Sequence, residues 1–150
     1  MQVLGIVAII IIVLQQLIVI LQYKTYQKVV RSMRHMGLLG IGARKGRIRP
    51  GEIVILSYDI ETKKINACKR LRGITVFERF KDTPEFIGLS LDEVCGIGIT
   101  EDAKINRRYR SKHPYDPNEP SKKKAALIQA TEAIVRRLER DSKLSESGDE

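Results

Sequence analysis

From Val3 to Leu21 the chain is a run of Val, Ile, Leu and Ala broken only by Gly5, Gln15 and Gln16, and no charged side chain occurs before Lys24. The 19 residues of this run, at about 1.5 Å of rise each, reach roughly 28 Å, close to the hydrocarbon thickness of a bilayer. In that solvent the backbone must satisfy itself, so helix is expected in spite of the many β-branched side chains. A buried helix of a soluble domain would carry a polar stripe, and this run has only two adjacent amides. A cleaved leader would carry a basic stretch before a shorter apolar core and a small-residue cleavage site, which Gln22-Tyr23 does not offer. A single transmembrane helix is therefore expected over residues 3–21.

Beyond the run, Tyr23 to Met36 is polar and free of Gly and Pro, so the helix is expected to continue until Gly37 stops it. The pattern then shifts to short β-like runs: Leu38 to Ala43, Glu52 to Asp59, Lys64 to Arg72 and Ile74 to Phe80. The second and third form the clearest pair, joined as a hairpin through the polar Asp59 to Lys63 loop. In the third, Ile65, Ala67 and Leu71 alternate with polar neighbours, which predicts one buried face. Pro84 to Gly88 ends the sheet region, and Ser90 to Val94 predicts a capped, short helical turn. Glu101 to Pro120, rich in charge and proline, reads as a loop or extended linker. Leu127, Ile128, Ile134, Val135 and Leu138 share one face of an amphipathic helix that starts from Ser121 as N-cap. The expected fold is α+β. It comprises a transmembrane and juxtamembrane helix (1–36), a small antiparallel β domain (37–100), a basic linker (101–120), an amphipathic helix (121–141) and a polar tail (142–150).

Charge refines this picture. The chain of 150 residues is 43% hydrophobic and 30% charged, with 27 basic and 18 acidic residues, for a formal net charge of +9. Lys24, Lys28, Arg31, Arg34, Arg44, Lys45, Arg47 and Arg49 all precede the first acid, Glu52. The positive-inside rule then places the N-terminus outside and the remainder in the cytoplasm. Tyr23, Lys24, Tyr26, Lys28, Arg31 and Arg34 are the candidate membrane-interface residues. Arg44, Lys45, Arg47 and Arg49 make a local positive field on a turn-rich segment, and Arg107, Arg108 and Arg110 belong to a second cluster between Lys104 and Lys124. Anionic lipid, an acidic protein surface and nucleic acid are the candidate partners of such fields.

The search for chemistry is mostly negative. His35 and His113 lie far apart without a carboxylate or thiol at ligand spacing, and Cys68 and Cys95 suit free thiols in a reducing compartment. No nucleophile elbow, zinc-protease helix or phosphate-loop motif occurs. The segment Gly40 to Gly46 is a weak candidate for a phosphate cradle, because its spacing is not that of a dinucleotide fingerprint and glycines in a small sheet more often permit turns or bulges. No catalytic residue, metal ligand or cofactor is expected, and neither a helix-turn-helix pattern nor an aromatic stacking set supports DNA reading.

Gly40-Ile41-Gly42, then Gly46-Arg47-Ile48-Arg49-Pro50, a hairpin, and Gly73-Ile74-Thr75-Val76-Phe77 stand in the order and spacing of a known family. With the N-terminal membrane segment they resemble the glucitol (sorbitol) operon activator family, GutM, to about Val94. The Pro114-Tyr115-Asp116-Pro117 element before a final helix is also similar. The chain departs from the family pattern in the basic stretch from Asn106 to Lys112 and in a longer, charged C-terminal helix. The resemblance implies a positive regulator of sorbitol uptake and phosphorylation genes, associated with a sugar phosphotransferase system. It supplies no mechanism. Action through a protein partner, a regulator or transporter component of that system, is the leading expectation, with a direct DNA-binding activator and an adaptor or assembly factor for the transporter as alternatives.

Overall fold

In the computed structural model, which describes residues 2–45, 51–73 and 79–146, the chain divides into two units, Met1–Ser32 and Met33–Glu150. The first unit is nearly all of α1, which spans Gln2–Arg34 in 33 residues. It is one helix long and apolar enough to cross a membrane. Its apolar side chains are exposed, Leu4 by 80% and Leu14 by 57%, so among the described residues the apolar run packs into no core. The helix closes on a turn in which the Met36 N–H donates to the Met33 carbonyl at 3.0 Å. At Gly37 a Cβ would overlap the Tyr58 carbonyl, so a residue without a side chain fits here.

The second unit is built on a four-stranded antiparallel sheet in the order β1 (Leu38–Arg44), β2 (Gly51–Asp59), β3 (Lys64–Gly73), β4 (Lys81–Asp82). The β2–β3 hairpin turns as its polar loop predicts. Asp59 accepts from the Glu61 N–H at 3.0 Å and the Thr62 hydroxyl at 2.8 Å, and Lys63 adopts a left-handed φ of 54°. The fourth strand differs from expectation. It is the two-residue pair Lys81–Asp82, with Arg79 and Phe80 outside any strand, and residues 74–78 of the predicted run lie outside the described residues.

The alternation read into β3 is also corrected. A bulge opposite Ser57 and Tyr58 pairs Tyr58 with Ile65 and Ser57 with Ala67, leaving Asn66 as the extra residue. Ile65 and Ala67 therefore face opposite sides, and Cys68, 3% exposed, joins Ile65 in the core instead.

The remaining elements are a 3-10 turn (Pro84–Phe86), α2 (Leu91–Ile105), α3 (Arg107–Arg110), a second 3-10 turn (Ser121–Lys123) and α4 (Ala126–Glu146). One face of the sheet, carrying Val54, Leu56, Tyr58, Ile65 and Cys68, packs with Phe86, Val94, Leu127 and Ile134. Each fully buried aliphatic or aromatic side chain here contributes about 1.5–3 kcal/mol. Where α2 was expected as a short turn it is a full helix of 15 residues. Ser90 caps the helix as anticipated and forms a capping box with Glu93, with Glu93 N–H on Ser90 Oγ at 3.3 Å and Ser90 N–H on Glu93 Oε2 at 2.7 Å. Burial of Val94, Gly98 and Asp102, one turn apart in succession, carries the helix past its two glycines. Gly98 fits against Ile128 of α4, whose Cγ1 would stand 3.0 Å from an added Cβ.

The start of α4 moves as well. Ser121 opens a 3-10 turn, Lys124 is extended, and the α-helix begins at Ala126 and runs to Glu146, past the predicted end at 141. Leu127, Ile128 and Ile134 are buried as predicted, whereas Val135 is 40% exposed.

Candidate functional site: the glycine strand and the two basic clusters

Gly40 and Gly42 lie on the β1 face that meets α4. A Cβ on Gly42 would overlap the Ala126 carbonyl and one on Gly40 the Ala130 carbonyl, with Ile134 Cγ1 only 2.6 Å away. The two glycines thus let a helix backbone lie directly on the strand. That space is filled by this chain's own carbonyls, which repel anions, so the phosphate-cradle candidate is excluded for Gly40 and Gly42. Gly46, at the other end of the candidate, lies outside the described residues. The Ala43 N–H donates to Gln129 Oε1 at 3.4 Å, while Gln129 Nε2 donates to the Lys124 carbonyl at 2.9 Å. One amide therefore ties the edge strand to the start of α4.

The first cationic cluster follows β1. Arg44 closes the strand opposite Glu52 and is half-buried, and Lys45 is exposed. Arg47 and Arg49 lie outside the described residues. Along α1, Lys24, Lys28, Arg31 and Arg34 are exposed at successive turns, and Tyr23, 60% exposed, accepts from Gln27 Nε2 at 2.6 Å. Tyr26 is half-buried.

The second cluster splits in two. Arg107 and Arg108 on α3 are exposed, as are Lys104, Lys112, Lys122 and Lys123. Arg110 is turned inward, with its side chain only 6% exposed. Its Nε pairs with Asp102, its Nη1 meets Glu119 Oε2 at 2.6 Å, and its Nη2 donates to the Lys123 carbonyl at 3.2 Å. Tyr109 donates to the other Glu119 oxygen at 2.7 Å and stacks on His113 with ring centroids 4.6 Å apart. Burial alone would lower the Arg110 pKa, but the bonds from Glu119 and Asp102 outweigh it and push it up. For Glu119, burial raises the pKa, and the bonds from Tyr109 and Arg110 overcome that to hold the carboxyl below its ordinary value. Arg110 is thus not a surface cation, which corrects its place among the candidate binding residues.

Lys124 is likewise consumed inside. Its side chain is fully buried, its ammonium pairs with Glu132 and donates to the Pro117 carbonyl at 2.6 Å, and it sits 5.5 Å from the Tyr115 ring centroid. Tyr115 donates to Glu132 at 3.1 Å, and burial, reinforced by Cys95 and Glu132, pushes its phenol up. Residues 101–120, expected as a linker, thus contain the end of α2, all of α3 and a buried ion-pair arch. Composition concealed this. Arg110 and Lys124 look like their exposed neighbours, and the only local hint was the presence of Tyr109, Tyr115, Asp116 and Glu119 within a basic, proline-bearing stretch.

An open groove of about 770 Å³ runs between the Pro84–Phe86 turn and α2, past Phe86, Leu89, Glu93, Ile97 and Glu101. Two of its carboxylates have structural duties. Glu93 closes the capping box, and Glu101 grips Arg70 at 2.9 and 3.3 Å, with Arg70 stacked 5.4 Å above Phe86. Burial pushes the Cys68 thiol up to about 11. Both cysteines are free, and among the described residues no group of three or more His, Cys, Asp or Glu is placed to hold a metal.

These features define a class: a small α+β domain with exposed basic surfaces, preceded by an apolar helix long enough to cross a membrane. The family is specific. The model of the glucitol operon activator protein (GutM) matches residues 3–108, and the chain belongs to that family, whose role is regulatory. The match takes in α1, the sheet and α2, reaching further than Val94 and ending before α4. No curated protein and no solved structure matches the chain.

Proposed function

We propose that this chain is a membrane-anchored positive regulator of glucitol (sorbitol) uptake and utilisation genes that acts through a protein partner. The partner is a regulator or a transporter component of a sugar phosphotransferase system. The observation that carries this reading is α1. The family match begins inside the same apolar helix whose length suits a bilayer, so the activator family and the anchor coincide in one segment. The cations from Lys24 to Lys45 crowd the C-terminal flank of the apolar helix, which favours a cytoplasmic domain. A domain held at that surface acts on an operon most directly by capturing or releasing a soluble regulator, because tethering raises the effective concentration of one bound component for another. The inward turn of Arg110 and Lys124 also leaves fewer cations for DNA than composition implies.

The competing reading is a direct DNA-binding activator using Arg44, Lys45, Arg47 and Arg49 with Arg107 and Arg108. Full-length protein in lipid nanodiscs, titrated with operator and scrambled duplexes, separates the two. The protein-partner reading expects equal, salt-sensitive binding to both duplexes. It further expects that reversing the charges at Arg44, Lys45, Arg47 and Arg49 abolishes reporter activation and partner co-purification together, with membrane retention unchanged. A clear preference for operator DNA at physiological salt overturns it in favour of direct activation.

A further inference from the structure

Gln15 and Gln16 are the two polar residues of the Val3–Leu21 run, and among the described residues neither side chain finds a hydrogen-bond partner. By helical rise Gln15 lies on the order of 9 Å from the Leu21 end, inside the hydrocarbon if the helix spans. An amide in that medium is held without water, and the remedy available to it is another helix. The run's two small residues, Gly5 and Ala8, lie on the same face. At about 100° per residue, positions 5, 8, 12, 15, 16 and 19 fall in one arc of roughly 100°, which holds no other residue of the run. Every remaining position of the run is Val, Ile or Leu. Ile12, Gln15, Gln16 and Val19 also stand at i, i+3, i+4 and i+7, the four residues that frame a hole for a facing side chain.

We propose that α1 pairs in parallel with α1 of a second copy of this chain, through Gly5, Ala8, Ile12, Gln15, Gln16 and Val19, with the amides hydrogen-bonded across the pair. This rests on the reading that α1 spans a membrane. Two copies inserted in the same direction place their amides at the same depth without further adjustment. A carboxamide both donates and accepts, so identical groups satisfy each other across a two-fold axis. Another protein's helix would need its own polar group at that depth. Gly5 and Ala8 let the backbones approach on the same face.

The test uses full-length protein labelled at its N-terminus with donor or acceptor dye and reconstituted in phosphatidylcholine vesicles over a range of dilutions. Energy transfer above the level of random proximity, diluted away by unlabelled chain, is expected. In Gln15→Leu/Gln16→Leu the apparent dissociation constant rises by about tenfold or more, while Leu14→Ala, on the opposite side, leaves it unchanged. Transfer at the random level in the unaltered chain, or equal transfer in the double variant, overturns the pairing. Flotation with the vesicles is scored in the same samples, so failure to float marks failure of the membrane reading, and floating without transfer marks failure of the pairing alone.

Discussion

The two units treat polar groups in opposite ways. In the domain, cations that leave water carry their counter-charges with them. Arg110 is enclosed by Asp102 and Glu119, and Lys124 by Glu132 and a carbonyl. Along α1 no charge enters the apolar run at all, and its two amides have no hydrogen-bond partner among the described residues. A soluble domain can bury a charge if it supplies the partner, at a desolvation cost the pair must offset. A lone helix has no such means, so its apolar surface calls for an apolar solvent and its amides for a neighbour. Arg110 and Lys124 find their partners inside the domain, whereas on the proposed reading the helix is completed from outside.

The largest effect expected from breaking this contrast is at the buried arch. Arg110→Ala leaves two buried carboxylates unpaired and should cost about 3–5 kcal/mol, read as the drop in the urea midpoint of the detergent-solubilised chain. Next is the reverse intrusion, a charge in the span. Ile11→Arg should cost insertion about 2.5–3.5 kcal/mol, seen as loss of protein from alkali-washed membranes. The same change at Ile60, 57% exposed in the hairpin turn, should alter nothing. Third is the helix seat on β1. Gly42→Ala forces α4 off the strand at about 1–3 kcal/mol and should speed hydrogen exchange in α4. Gly96→Ala, with open space at its Cβ, should instead stabilise α2 by up to about 1 kcal/mol.

A smaller change comes with acid. The Glu119 carboxyl is held below its ordinary 4.5, so its stabilising contribution is complete above that pH and is lost as the pH falls through the lower folded value. The urea midpoint should therefore decline below pH 4.5 more steeply in the parent than in Glu119→Gln. Smallest is the exposed pair: Arg107→Glu/Arg108→Glu should stay within about 0.5 kcal/mol of the parent, confirming that the inward cations and not these support the fold.

The first three strands, the hairpin and the apolar helix were legible because each is written in a local pattern. The β-like runs of β1, β2 and β3, the Asp59 turn and the unbroken aliphatic run need no distant partner to be recognised. What escaped depends on contacts far apart in sequence. The bulge at Asn66 exchanged Ala67 for Cys68 in the core, and no local pattern marks it. α2 was underestimated because Gly96 and Gly98 weaken its propensity, while the packing that restores it comes from Ile128. The glycines at 40 and 42 were legible as special but not as a seat for α4. Of the candidate site, the α1 cations and Lys45, Arg107 and Arg108 lie exposed. Arg110 does not, because whether a cation faces out is decided by where its carboxylates fold.

The most direct test of the account is the location of the unaltered, full-length chain, tagged at its C-terminus and followed in membrane vesicles of known orientation. The account predicts that the protein resists alkaline extraction and that added protease removes the tag from inside-out vesicles while sparing it in right-side-out ones. Recovery in the soluble fraction, or cleavage of the tag only in right-side-out vesicles, would contradict it.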